Sequence, residues 1–182
     1  MTEIKQIRLS GFGGQGIILA GTLLGQAGMI DGKYVAESSS YGAQARGSGC
    51  KSEVVFSNHP IDFPHVTTAD VLFVMSQGAY DAYYGDVKED SGLILYDGGQ
   101  VVAREGLNVK QIGIPATEYA IKKLKNGQVA NIILLGVLIE ISKIVPPPAI
   151  QKAIRAHVSE RFRSLNLKAI RMGRDLGREV RG

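Results

Sequence analysis

The residues best suited to chemistry stand near the amino terminus. Gly11-Phe12-Gly13-Gly14-Gln15-Gly16 satisfies G-x-G-x-x-G. Residues without a Cβ let backbone N–H groups approach a phosphate, and the helix that follows adds positive potential. A tight turn needed only for packing has the same pattern, so the residues around it must discriminate. Ile17 stands where a Walker loop places Lys, which disfavours a nucleoside triphosphate. A dinucleotide site adds an acid about 20 residues further on to hold a ribose. Glu37, 21 residues after Gly16, has that spacing and is equally readable as a solvated loop acid.

The other reactive side chains are sparse. Tyr119 and Lys123 form a Tyr-x-x-x-Lys pair, but no serine lies suitably upstream and the segment reads as an ordinary amphipathic helix. Cys50, the one cysteine, excludes an internal disulfide. Together with the scattered His59, His65 and His157 it excludes a ligand cluster for zinc or iron–sulfur. With no histidine near it in sequence, Cys50 reads as a buried, inert thiol.

The elements that must position the turn follow from periodicity. Ile4 to Ser10 alternates as a short strand, and Ile17 to Ile30 is apolar on nearly every side with Gly21, Gly25 and Gly28 inside it. That composition predicts a buried helix lying close on a sheet. An extended piece over Lys33 to Glu37 precedes a polar, Gly-rich loop over Ser38 to Gly49, long enough to suggest function. Strands are expected at Ser52 to Ser57, Val71 to Met75, Leu93 to Tyr96 and Lys110 to Ile114. Ser76-Gln77-Gly78 and Asp97-Gly98-Gly99 read as turns. Helices are expected over Ala116 to Lys125, Ala130 to Lys143 and Pro148 to Phe162. The alternation predicts a single α/β domain over residues 1–182, a three-layer α/β/α Rossmann-like fold with a mostly parallel sheet.

Two linked motifs carry a family resemblance. Gly11, Gly13, Gly14, Gln15 and Gly16, followed by Tyr41, Gly42, Arg46 and Gly47 in the loop Tyr41-Gly42-Ala43-Gln44-Ala45-Arg46-Gly47-Ser48-Gly49, resemble the gamma subunit of 2-oxoacid:ferredoxin (acceptor) oxidoreductases. The likeness continues through Asn131 to Gly136 and Asn166 to Gly173. The second loop looks most like the 2-oxoglutarate type, with Ala43-Gln44 where Pro-Glu is usual and Ser48 in place of the second glycine. The resemblance implies a Rossmann-like chain without a tightly bound cofactor, working with alpha, beta and delta-type subunits. Those partners would supply thiamine diphosphate, Mg and iron–sulfur clusters, oxidise a 2-oxoacid, pass electrons to ferredoxin and release an acyl-CoA. This chain would contribute to assembly and to the coenzyme A side, through the nine motif residues named above. Arg46 between glycines suits a bidentate contact to a CoA phosphate or a partner's carboxylate, and equally a pair with an acid of its own chain. A pyruvate-type gamma subunit and a stand-alone NAD(P)-dependent oxidoreductase using Glu37 are the competing readings.

Charge is distributed unevenly. The formal total is +4, yet residues 1–150 carry 12 basic and 14 acidic side chains, whereas residues 151–182 carry 9 and 3. Beyond Leu165, Lys168, Arg171, Arg174, Arg178 and Arg181 fall on one face of a helix. With no aromatic residue after Phe162, stacking on nucleic acid is not expected; a solvated face or a subunit contact remains. The longest apolar run, Val129 to Ile141, is interrupted by Asn131 and Glu140 and is shorter than the ~20 residues a bilayer needs. No apolar leader follows a basic start. The expectation is a soluble cytoplasmic protein that self-associates when isolated from its partners.

Overall fold

The computed structural model describes residues 4–41 and 49–181. Six strands form one sheet in the order β2-β3-β1-β4-β5-β6. They are β1 (Lys5–Phe12), β2 (Tyr34–Tyr41), β3 (Gly49–Ser57), β4 (Val71–Val74), β5 (Leu93–Asp97) and β6 (Lys110–Ile114). Strands β1, β4, β5 and β6 pair in parallel, and β3 runs antiparallel between β1 and β2. The sheet is thus mostly parallel, with an antiparallel β2–β3 pair on one side.

The helices are α1 (Ile17–Ile30), α2 (Gln77–Tyr83), α3 (Ala116–Leu124), α4 (Ala130–Ser142), α5 (Pro147–His157) and α6 (Glu160–Arg181). They cover both faces, unequally. Ile7, Leu9, Phe73 and Leu95 share the main core with apolar residues of α1, α3, α4, α5 and α6. On the other face Leu72, Val74 and Ile94 meet Ala79, Tyr80 and Tyr83 of the short α2, Tyr96 of β5 and nearby loop residues. Beside them Arg8 is buried, donating from Nε to Glu53 (2.9 Å), from Nη1 to Asp86 (2.6 Å) and from Nη2 to the Val66 carbonyl (2.9 Å).

Three local readings of the sequence are corrected. The polar stretch after Glu37 is not loop throughout: β2 continues to Tyr41 and β3 begins at Gly49, because an edge strand is held by ladder hydrogen bonds without apolar side chains. Ser76-Gln77-Gly78 is the start of α2, not only a turn. The Ser76 hydroxyl caps it by accepting the Ala79 N–H at 3.3 Å. The helix expected to run to Phe162 stops at His157; Val158 is extended and α6 starts at Glu160.

The glycines of α1 do what their positions implied. A Cβ on Gly28 would lie 2.4 Å from the Phe56 ring, and one on Gly21 2.0 Å from the Ser52 hydroxyl. A second close approach joins α4 to α6, which run in the same direction. A Cβ on Gly173 would come within 1.9 Å of the Ile133 carbonyl, and one on Gly136 within 2.5 Å of the Ile170 carbonyl. At the end of this seam the buried Glu140 pairs with Lys143 and, at 3.1 Å, with Arg174. One arginine of the basic tail is therefore an internal anchor.

Candidate functional site

Gly11 and Phe12 end β1, and the turn that follows delivers the chain into α1 at the carboxyl ends of the parallel strands. In open α/β sheets ligands bind at this end. Gln15 holds the turn shut. Its Oε1 accepts the Phe12 N–H at 2.7 Å and its Nε2 donates to the Met75 carbonyl at 2.8 Å, tying the turn to the end of β4. Gly11 leaves the room for this side chain, since a Cβ there would stand 2.5 Å from Gln15 Oε1. Phe12, 42% exposed, lies over Gly78.

Gly16 caps α1 with φ of 72°, a left-handed conformation that strains any residue with a Cβ. Such a Cβ would also meet Asn131 Nδ2 at 2.4 Å. Asn131, in the first turn of α4, donates from Nδ2 to the Gly16 carbonyl at 2.9 Å. Among the described residues its Oδ1 has no partner, although the residue is 1% exposed. A buried acceptor left bare costs about 1–3 kcal/mol, so it marks a place where a donor from water or a ligand belongs.

Two helix starts therefore meet at Gly16 and Asn131. Helix α1 has no side-chain cap and no acid in its first turn, whereas α4 continues a 3-10 turn over Gly127–Val129 whose start Asn126 caps by accepting the Gln128 N–H at 2.9 Å. The contrast with α3 is informative: there the buried Asp97 accepts the Thr117 N–H at 3.0 Å, so an acid of the chain already satisfies that helix start. The start of α1 keeps its positive potential, which suits an anionic group brought from outside.

Tyr41 and Cys50 lie in one cross-strand row with Gly11, and Gly49 pairs with Phe12. The turn and the last residue of β2 are thereby brought to the same level of the sheet. Gly42, Arg46 and Gly47 lie outside the described residues. Cys50 is buried beside the turn; burial pushes its thiol up, and a hydrogen bond from the Ile18 N–H only partly offsets this. A thiol held protonated is a poor nucleophile.

Glu37 is not brought to the turn. It pairs with Val54 in mid-strand, four residues before Tyr41 and so about 13 Å down the strand at ordinary strand rise. Thr22 donates to its Oε1 at 2.9 Å, and a Cβ on Gly25 would lie 3.5 Å from its carboxylate. The geometry expected of a ribose-binding acid is absent, which removes the support for the NAD(P) reading. Tyr119 packs against the main core and Lys123 is exposed, as an amphipathic helix requires. Sequence reasoning did not assign Asn131 to the site. Its signal was a lone amide within an apolar run.

The turn lies outside the cavity of about 480 Å³ formed by Lys5, Phe56, Leu93, Lys110 and Lys143 at the opposite, amino ends of the strands. Among the described residues no three His, Cys, Asp or Glu side chains are grouped to hold a metal. None of their helices is long and apolar enough to cross a membrane.

The family model of pyruvate ferredoxin/flavodoxin oxidoreductase matches residues 6–176. The chain belongs to that family. Within the family it is 44% identical to the 2-oxoglutarate synthase subunit KorC of Methanocaldococcus jannaschii, over 97% of this chain and 95% of that protein. It is 33% identical to the ketoisovalerate oxidoreductase subunit VorA of Methanothermobacter marburgensis, over 97% of this chain but 38% of that longer protein. Among solved structures, the gamma subunit of a keto/oxoacid ferredoxin oxidoreductase from Geobacter sulfurreducens has a TM-score of 0.85 and 35% identity, covering 96% of this chain and 99% of that chain.

Proposed function

We propose that this chain is the gamma subunit of a cytoplasmic 2-oxoglutarate:ferredoxin oxidoreductase, working as one domain in assembly and on the coenzyme A side of the reaction. The likeness to the KorC subunit along nearly the full length of both chains carries this reading, and it exceeds the likeness to the ketoisovalerate relative. The complex converts 2-oxoglutarate and CoA to succinyl-CoA and CO2, and the two electrons released pass to ferredoxin. Thiamine diphosphate, Mg and the iron–sulfur clusters belong to alpha, beta and delta-type partners in this reading. A chain with one cysteine lacks the thiolates that a cluster requires.

This chain's own contribution starts from the uncapped start of α1. The backbone of Gly13, Gly14 and Gly16 and the start of α1 receive a CoA phosphate, with Arg46 of the second motif supplying a bidentate contact. Gln15 fixes the turn, Tyr41, Gly42 and Gly47 of the second motif contribute to the same phosphate site, and Asn131 Oδ1 accepts a hydrogen bond from the ligand or its water. Phe12 and Gly14 of the turn are exposed, and in this reading partner subunits complete the enclosure.

Expressed with alpha, beta and delta-type subunits from the same organism, the tagged chain is expected to recover a complex that reduces a low-potential acceptor only when 2-oxoglutarate and CoA are both present. The chain alone is expected to be inactive. Turnover by the isolated chain, or recovery of no oxidoreductase subunit, would overturn the reading. Pyruvate used in preference to 2-oxoglutarate would overturn the substrate.

A further inference from the structure

The basic tail has two sides with different fates. Arg174 and Arg178 turn toward Glu140 and Asp175 within the chain. Elsewhere on the surface Arg155 of α5 and Arg163, Lys168 and Arg171 of α6 line an open groove of about 480 Å³ whose one acid is Glu160. Arg155, Lys168 and Arg171 are exposed, and none makes an ion pair among the described residues. Arg163 donates from Nε to the Val158 carbonyl at 3.3 Å, which fixes it across the junction of the two helices.

Like charges gathered on adjoining helix turns repel one another, and the cluster is relieved when carboxylates are brought to it. Its groups also stand on a rigid support, because α6 is 22 residues long and pinned to α4 by the glycine seam. Less side-chain freedom is lost when a preordered surface binds.

We propose that this groove docks a carboxylate-rich face of a partner subunit of the oxidoreductase. The proposal deepens the gamma-subunit reading and rests on it. Charge complementarity selects an acidic partner, and guanidinium groups pair with carboxylates in bidentate fashion. The lining selects a protein over the other polyanions. Leu167 is its one apolar residue and it contains no aromatic ring, so bases find no stacking platform and a bilayer no insertion face. In the longer ketoisovalerate relative the matching region is 38% of the protein, so there this unit lies in one chain with a larger remainder.

The test uses the assembled complex. A zero-length carbodiimide coupling joins an amine only to a carboxylate in direct contact. The expected product is a peptide linking Lys168 to an Asp or Glu of a partner subunit. Lys168→Glu/Arg171→Glu alters exposed side chains and is expected to keep the wild-type melting temperature while binding partners at least tenfold more weakly at low salt. Lys122→Glu/Lys123→Glu on α3 is the control and should assemble as wild type does. If the groove variant assembles with wild-type affinity and salt dependence, the docking proposal fails while the subunit reading stands. It fails equally if the variant instead loses binding to duplex DNA or to phosphatidylserine vesicles that wild type shows. If the wild-type chain recovers no oxidoreductase subunit, the subunit reading itself fails, and the proposal with it.

Discussion

At the carboxyl ends of the strands Gly14 and Gly16 take φ values of 100° and 72°, whereas Gly136, Gly173 and Gly177 sit inside helices and let one backbone lie on another. In the turn the missing Cβ leaves main-chain groups open toward solvent and permits a conformation that L residues resist. In the seam it brings the Ile133 and Ile170 carbonyls against the facing helix and closes α4 under α6. A glycine in mid-helix costs about 1 kcal/mol relative to alanine. Here that cost is offset by the burial of α4, whose residues from Ala130 to Glu140 are all covered. The seam therefore contributes to stability, and in the proposed function the turn contributes to binding.

Substitution should separate the two regions. Gly173→Ala pushes a methyl group into the Ile133 carbonyl and neither backbone can yield, so a loss of about 3 kcal/mol is expected. For a chain of this size, thermal denaturation should show a fall of roughly 6–12 °C. An unchanged melting temperature would mean that the helices are not packed this closely. Gly16→Ala should cost about 2 kcal/mol, combining left-handed strain with the clash against Asn131. Adding Asn131→Ala should restore part of that loss, because it clears the clash and leaves the strain. Strict additivity in the double-mutant cycle would show that the two residues do not touch.

A smaller difference is expected in acid. The turn from Gly11 to Gly16 contains no titratable side chain, but the seam ends on Glu140. Hydrogen bonds from Lys143 and then Arg174 hold its carboxyl below the usual range, against the opposing effect of burial. At Glu53 burial pushes upward first, and Arg8 and Lys51 together overcome it. A carboxyl lowered in the folded state adds stability above its unfolded pKa, near 4.3, and that stability is lost as pH falls through the folded value. The melting temperature should hold from pH 8 to about 5.5 and fall below about 4.5, with a shallower fall in Glu140→Gln. The same acid slope in that variant would remove Glu140 from the account.

Much of this organisation was legible before any coordinates. The apolar strands and the all-round apolar α1 and α4 are strong periodic signals, and the Gly-rich turn falls between β1 and α1 as its pattern requires. What stayed hidden depended on partners distant in sequence. Asn131 meets a carbonyl 115 positions away, and the spacing of Glu37 gave no notice that β3 would insert between β1 and β2. Helix α2 is only seven residues long and contains Gly78, so Ser76 read as a turn although it is a cap. Glu140 read as a break in an apolar run because its cations, Lys143 aside, come from α6.

The central claim is that the open turn receives a CoA phosphate within the assembled complex. Gly14 offers the most direct test, since a Cβ there meets nothing within 4 Å. Asp and Asn tolerate positive φ best among the larger residues and differ here in charge alone. Steady-state kinetics of complexes carrying Gly14→Asp and Gly14→Asn would compare KM for CoA and for 2-oxoglutarate. The account predicts a KM for CoA about tenfold higher with Asp than with Asn, equivalent to about 1.4 kcal/mol, at an unchanged KM for 2-oxoglutarate. Equal KM values for CoA in the two complexes would contradict it.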